Sequence, residues 1–406
     1  MHLLAVIDAT ELEAPEGPAT MVAGLSLVER AARLAATTGA DELVIWLPAD
    51  QLDSASALSG GFSGIDATIL TPEHSYTAAE KPDALLILNA GAVCDRSLVQ
   101  AAVESLEDTD PGAASRTSDS HLVVARPQRP KPKLSLQELG AIRSDARPRL
   151  SGGWIVYVDS PEAAGRAARR LWNSCRKAED GIVARYLNRH LSIATSRLLA
   201  PTFVTPNHIT ALTFALGIAA ALAAAHGEYL GFLIAGILYQ LNSVIDGIDG
   251  ELARVRYEFS FLGEWLDTIS DDLADLLIYI GLGIGAWRTM ADAPGPWGSE
   301  VWLWLGLLAA AGKVASMAVY YHWLIRHGRG DLLAFQWDFE DEDVGDTFMA
   351  RLLSSTRYLF RKDFIVFAAM IASFGGYLPH LLYALAPGNI IVAISVVVQQ
   401  LRGQSP

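Results

Sequence analysis

Two kinds of apolar run divide this chain. From Met1 to about Ser174, short β-branched or apolar runs alternate with Ala/Leu-rich stretches of helical period. LLAVI at 3–7, ELVIWL at 42–47, ALLILN at 84–89, HLVVA at 121–125 and WIVYV at 154–158 read as strands. LSLVERAARLAATTG at 25–39, SLVQAAVESL at 97–106 and PEAAGRAARRLW at 161–172 read as helices. Such alternation predicts an α/β sheet covered by helices over residues 1–174.

From Ile209 onward the apolar runs lengthen. A membrane span needs about 20 apolar residues, and six candidates follow: 209–226, 229–252, 263–288, 300–325, 363–384 and 387–401. HGEY, RVRYEF, APGPWG, the acidic stretch 326–362 and LAPGN separate them. The expectation is an all-α six-helix transmembrane bundle over 206–406, joined to the sheet domain by a connector over 175–205. In that connector Arg176, Lys177, Arg185, Arg189 and Arg197 interleave with Ile182, Val183, Leu187, Leu191, Ile193 and Leu198. The pattern predicts an amphipathic helix at the membrane interface, basic side toward anionic head-groups. VTPN at 204–207 then opens the first span.

Charge narrows the function. A formal net charge of −14 argues against a nucleic-acid partner. Cys94 and Cys175 give neither a disulfide framework nor metal-ligand spacing. MHLLAVIDAT has no cationic n-region, so the N-terminal domain is expected to stay in the cytoplasm, with the bundle in the cell (inner) membrane. Lys and Arg support this orientation. Arg254, Arg256, Arg326, Arg329, Arg351, Arg357, Arg361, Lys362 and Arg402 fall on one side, and Arg288 on the other. Trp287, Trp297, Trp302 and Trp304 are expected to form an outer aromatic belt.

The chemistry concentrates in DGIDGELARVRYEFSFLGEWLDTISD, residues 246–271. Asp246, Asp249, Asp267 and Asp271 stand at the ends of two hydrophobic segments, where ionisable groups are costly and mark function. At roughly 100° per residue, Asp246, Asp249 and Ala253 share one helical face. Gly263, Asp267 and Asp271 share a face of the next helix. A tight turn through Tyr257–Ser260 between antiparallel helices brings the four acids together. Carboxylates so crowded need cations, and oxygen-only ligands favour Mg²⁺ or Mn²⁺. Gly250, Ala253 and Gly263 leave room for something bulky, and Arg254 offers a fork suited to phosphate.

The pattern D-x2-D-G-x2-A-R-x8-G-x3-D-x3-D resembles the signature of the CDP-alcohol phosphotransferases, integral membrane enzymes of phospholipid head-group synthesis. The resemblance implies a CDP-alcohol donor, expected to be CDP-diacylglycerol, a polar alcohol acceptor, two divalent metals, CMP as product and a homodimer. It implies metal binding by Asp246, Asp249, Asp267 and Asp271, with Asp271 also the general base. It implies CDP binding by Asp246, Gly250, Ala253, Arg254 and Gly263. Arg326, Arg361 and Lys362 are candidates for the acceptor's phosphate, although positive-inside anchoring explains them too. A T-P-N-x-x-T opening like the one at 205–210 recurs in this family.

The N-terminal half resembles a cytidylyltransferase-like, or sugar-nucleotide nucleotidyltransferase-like, domain in VAGLSLVERAARLAATTGADELVIW and GWIVYVDSPEAAGRAARRL. Its phosphate loop is replaced by the acidic IDATELEAPEGPAT, and its metal-binding acid by Asn89-Ala90-Gly91, leaving only Asp159. Without cationic, donor-rich backbone this half is expected to be inactive. Fusion of such a domain is known in the family, and in some relatives both halves are active and the product is a di-inositol phosphodiester. That tilts the acceptor toward an inositol phosphate.

Two other chemistries and a silent anchor compete for these residues. A UbiA-type prenyltransferase also sets membrane aspartates on a diphosphate, and Asn242–Asp249 resembles its first motif, but its second lies far away in sequence. A cation transporter has no reason to carry DG-x2-AR, and the intact motif argues against a catalytically silent anchor for the N-terminal domain. Asp272 is expected to pair outside the metal site, Asp275 to stand one turn beyond Asp271, and DFEDEDVGD at 338–346 to be a solvated loop. His190 and His208 are expected to be structural.

Overall fold

The computed structural model describes residues 1–10, 12, 17–51, 65–107, 110–128, 133–150, 152–177, 180–290, 298–328 and 361–401. The acidic run 338–346, Trp297, Arg329, Arg351, Arg357 and Arg402 lie outside them. The chain divides into two compact units: Met1–Cys175 with Arg197–Phe203 and Leu252–Glu258, and Arg176–Ser196 with Val204–Glu251 and Phe259–Pro406.

The first unit is built on a seven-stranded sheet. Its strands are β1 (Leu3–Asp8), β2 (Glu42–Trp46), β3 (Ala67–Leu70), β4 (Ala84–Asn89), β5 (Ala114–Arg116), β6 (Leu122–Ala125) and β7 (Arg147–Pro148). They lie in the order β7-β5-β6-β4-β1-β2-β3. β1 pairs parallel with β2 and β4, Val6 lying opposite Val44 and Ile87, while β6 runs antiparallel to β4 and β5. β1 and β4 are apolar at successive positions because both sheet faces are covered. Leu4, Val6, Val44, Trp46, Leu85, Ile87 and Val123 form one core layer with Leu139. The helices are α1 (Leu27–Ala36), α2 (Arg96–Glu104), α3 (Leu136–Asp145) and α4 (Pro161–Ser174). α1, α2 and α4 follow the expected positions. α3 opens with a capping box in which Ser135 and Glu138 satisfy each other's backbone.

The second unit is helical. A π-helical turn, Ala184–Asn188, leads into α5 (Arg189–Leu199). Then come α6 (Pro206–His226), α7 (Glu228–Arg256), α8 (Phe261–Thr289), α9 (Glu300–His327), α10 (Lys362–Phe374) and α11 (Leu382–Leu401). Among the described residues, four stretches, Pro206–His226, Glu228–Arg256, Glu300–His327 and Leu378–Leu401, are long and apolar enough to cross a membrane. The expected count of six is thus reached by four on these criteria. α8 carries the motif acids, and α10 is only 13 residues long. Small residues let α6 and α8 approach closely: a Cβ at Gly217 would meet Ala274 Cβ at 2.6 Å, and one at Gly281 would strike the Ala221 carbonyl.

Three expectations are corrected here. The chain turns at Gly375–Gly376 and not at LAPGN, and α11 runs through Pro387. Gly376 has φ 75°, open to glycine at no steric cost, whereas Pro387 is tolerated because neighbouring helices hold α11. Asn389 Nδ2 donates to the Ala309 carbonyl at 3.2 Å. Trp302 is 2% exposed, stacked edge-on against His380, and forms no belt with the exposed Trp304 two positions on. Positions two apart on a helix point to nearly opposite faces. The connector is not uniformly basic toward solvent, because Arg189 is committed to Asp180 and Glu251.

Candidate active site

The motif folds as its spacing requires. α7 ends at Arg256, Tyr257 turns the chain at φ 53°, and Ser260 caps α8 by accepting from Gly263 N at 2.8 Å. On α7, Asp246 and Asp249 are three residues apart. On α8, Asp267, Asp271 and Asp275 follow at four-residue intervals.

Asp246, Asp249 and Asp267 form a group whose carboxylate oxygens all lie within 4.8 Å of one another. Among the described residues, none of the three is in an ion pair, and Asp246 Oδ1 is buried with no hydrogen-bond partner. Asp249 is 7% exposed, with Thr210 Oγ1 donating to its Oδ2 at 2.9 Å and Gly250 N–H donating to its Oδ1. Two donors to Asp249 do not balance three crowded carboxylates, which stay ionised together only with a cation among them. An all-oxygen donor set with an orphaned buried oxygen fits a hard divalent cation.

The neighbouring acids are neutralised by lysine instead. Asp271 stands outside the group of three; its Oδ2 is 2.9 Å from Lys362 Nζ. Asp275 Oδ1 lies 3.5 Å from the same Nζ and accepts from Tyr239 OH at 2.7 Å. Asp272 pairs with Lys313 at 2.7 Å and accepts from Tyr320 and Tyr321. Lys313 also reaches Asp275 at 3.4 Å. The acids of α8 therefore divide: Asp267 turns to the cation-seeking group, while Asp271, Asp272 and Asp275 meet α9 and α10 through two lysines.

The other expected positions scatter more. A Cβ at Gly263 would meet Ser260 Oγ at 2.8 Å and Asn207 Oδ1 at 3.1 Å, so that glycine makes room for its own cap. Gly250 is half-buried beside Asp249 on α7; Ala253 and Arg254 lie in its last turn, which belongs to the first unit. Arg361 caps α10 and Arg326 is exposed in the last turn of α9. Asp363, grouped in sequence with Lys362, turns away and accepts from Ala184 N at 2.8 Å. His208 Nδ1 accepts from Thr205 N at 3.2 Å in the cap of α6, the structural role expected of it.

Glu251, inside the motif, is fully buried and accepts from Ser192 (2.6 Å), Ser196 (2.7 Å) and Arg189 (3.0 Å). Gly247 leaves the space that Arg189 crosses, since a Cβ there would stand 2.9 Å from its Nη1. Burial pushes the Asp180 carboxyl up, but the hydrogen bonds and charge of Arg189 outweigh it and hold it below the usual range. The same two partners, Asp180 and Glu251, keep Arg189 above its ordinary value despite burial. Sequence reading missed Glu251, which no periodicity separates from the other charges of the motif. Thr210 could have been found, being the last residue of T-P-N-x-x-T.

Residues 203–399 match the family model for CDP-alcohol phosphatidyltransferase. This stretch is a CDP-alcohol phosphatidyltransferase domain. The domain resembles part of a bifunctional IPC transferase and DIPP synthase from Thermococcus kodakarensis, at 41% identity over 40% of this chain and 34% of the relative. It also resembles an archaetidylinositol phosphate synthase from Pyrococcus horikoshii, at 33% identity over 22% of this chain and 46% of that protein. The matches span about a third of the length of the bifunctional relatives. A putative glucose-1-phosphate thymidylyltransferase from Bacillus anthracis covers 41% of this chain and 94% of its own, with TM-score 0.31 and 10% identity, a likeness too loose to carry an assignment.

Proposed function

We propose that this chain transfers a substituted phosphoryl group from a CDP-alcohol to the hydroxyl of an inositol-phosphate-like acceptor, releasing CMP. The observation that carries this reading is the group Asp246, Asp249 and Asp267, gathered within 4.8 Å and without an ion pair among the described residues, inside a CDP-alcohol phosphatidyltransferase domain. These three would hold the divalent cations, two Mg²⁺ or Mn²⁺, with Asp271 as a further ligand once it leaves Lys362. Bound there, such ions neutralise the diphosphate and the charge that grows on the leaving group.

The chain's own residues do the rest. Asp271 takes the proton of the acceptor hydroxyl, and the hydroxyl oxygen bonds to the β-phosphorus of the donor. The bond from that phosphorus to the bridging oxygen breaks, and CMP leaves with the electron pair. Lys362, paired with Asp271, holds the base in place and offers its charge to the acceptor's phosphate, with Arg361 and Arg326 as further cations. Gly250 and Ala253 admit the cytidine, and Arg254 steadies the motif and the diphosphate. The protein works as a homodimer in the cell membrane, with its active site on the cytoplasmic side. The donor is CDP-diacylglycerol. A soluble CDP-polyol donor is the second reading, and CMP release from CDP-inositol but not from CDP-diacylglycerol would select it.

The experiment is CMP release by purified protein with Mg²⁺ or Mn²⁺, CDP-diacylglycerol or CDP-inositol, and glycerol phosphate, inositol, inositol phosphate, serine or choline as acceptor. Asp271→Asn runs beside it. Release that needs metal, one acceptor and Asp271 supports the reading and names the donor. Folded protein that releases no CMP from either donor sinks it.

A further inference from the structure

Leu252–Glu258 ends α7 and turns the chain toward α8, lying in sequence between Asp249 and Asp267. This segment belongs to the first unit and is buried there, with Leu252 0%, Val255 1% and Tyr257 3% exposed. Arg30 of α1 is itself 1% exposed and donates to the Val255 carbonyl at 2.6 Å and to the Val22 carbonyl. Its guanidinium stands 5.6 Å over the Tyr257 ring. Tyr257 OH donates to the Cys94 carbonyl at 2.8 Å. Arg33 pairs with Glu258 while holding Glu29 at 2.7 Å, and Arg256 donates to the Thr202 carbonyl at 2.7 Å.

Such an arrangement is more than a turn needs to reverse direction. A buried guanidinium whose donors go to backbone carbonyls fixes those carbonyls, because losing the contact leaves them unsatisfied. Tyr257 at φ 53° adopts a conformation that bulky side chains keep only when their surroundings hold it. Its ring and its hydroxyl are both held, by Arg30 and by Cys94.

We propose that Arg30, Arg33 and Tyr257 are positioning residues for the aspartate motif. By fixing Leu252–Glu258, the α/β unit sets the register in which α7 and α8 present Asp246, Asp249 and Asp267. The inference rests on the reading of those carboxylates as the centre of a phosphotransferase. It gives the α/β unit a task that requires no nucleotide.

The test compares full-length wild type with Arg30→Ala, Arg30→Lys and Tyr257→Phe by hydrogen exchange and by Mn²⁺ titration followed by electron paramagnetic resonance. In Arg30→Ala and Tyr257→Phe, exchange should quicken across 252–258 and on through 261–271. Mn²⁺ binding should weaken about threefold to thirtyfold, the range by which coupled residues act on a distant site. Arg30→Lys, which can reach one carbonyl but not fork between two, should fall between. Exchange that quickens only as far as Glu258, or Mn²⁺ affinity that does not move, overturns the proposal. Should Arg30→Ala fail to fold, Tyr257→Phe decides, since it removes one hydroxyl. Wild type that binds no Mn²⁺ would fail the metal reading of the site, and the exchange pattern across 261–271 would then decide the positioning role alone.

Discussion

Lys362 Nζ stands 2.9 Å from Asp271 Oδ2 and 3.5 Å from Asp275 Oδ1, so one cation from α10 joins the last acid of the motif to the acid one turn beyond it. The pair ties the proposed base to an element separated from it by 91 positions in sequence. Replacing Lys362 by Met should lower CMP release about a hundredfold, the cost of a slightly misplaced reacting group. Lys362→Arg should retain part of the rate. Full activity in Lys362→Met would mean that Asp271 is oriented by something else.

Thr210 Oγ1 orients Asp249 from a helix that carries no motif acid. Partners that hold a metal ligand typically contribute tenfold to a hundredfold in metal affinity. Thr210→Val should therefore weaken Mn²⁺ binding by about that factor while the helices stay folded, as circular dichroism would report. Unchanged affinity would leave the hydroxyl a packing role only.

Arg189 and Glu251 form a buried pair whose two halves depend on each other. Arg189→Met takes a guanidinium away from two buried carboxylates, Asp180 and Glu251, and should destabilise the protein by about 3–5 kcal/mol. Adding Glu251→Leu should restore part of that loss, because one buried carboxylate is removed while Asp180 still lacks its guanidinium. Thermal unfolding in detergent measures both. A double variant no more stable than the single one would show that the polar contacts of Glu251 matter beyond its charge.

His121 lies stacked on Tyr157, ring centroids 4.4 Å apart, and burial holds its pKa below the ordinary histidine value, with Arg143 adding to the effect against Asp119. A base whose folded pKa is lowered favours folding above its unfolded pKa, about 6.5. That contribution falls away as pH drops from there toward the folded value, because the unfolded chain takes up the proton first. Melting of the protein should decline from pH 7 to pH 5, and His121→Gln should flatten that slope. An identical slope in the variant would assign the pH dependence to other groups.

What the sequence made legible was whatever depends on neighbours along the chain. The strands at Leu3–Asp8 and Ala84–Asn89 announce themselves as unbroken apolar runs, and the acids of the motif by spacing. β3 at Ala67–Leu70 did not, because an edge strand that is only half-buried carries no strong apolar signal. Asp363 looked like a companion of Lys362, yet a rotation of about 100° along α10 sends it to Ala184 instead. The break at LAPGN was misread because proline in a membrane helix is judged by its neighbours in space. Arg189 seemed to belong with the lipid-facing cations, since no local pattern discloses that Asp180 and Glu251 are waiting for it.

That inward turn of Arg189 changes how the connector should sense its surroundings. Each Lys or Arg near an anionic surface adds about 1 kcal/mol of attraction. Arg189 is neutralised within the protein, and Arg185 donates to the Asp180 carbonyl at 3.3 Å. What remains outward includes Ile182, Leu191 and Leu198, exposed by 48%, 51% and 76%. Arg176, Arg185 and Arg197 stay exposed beside them, so any binding of this segment to anionic vesicles should rest on those three cations, and Arg189→Gln should leave its dependence on phosphatidylserine unchanged.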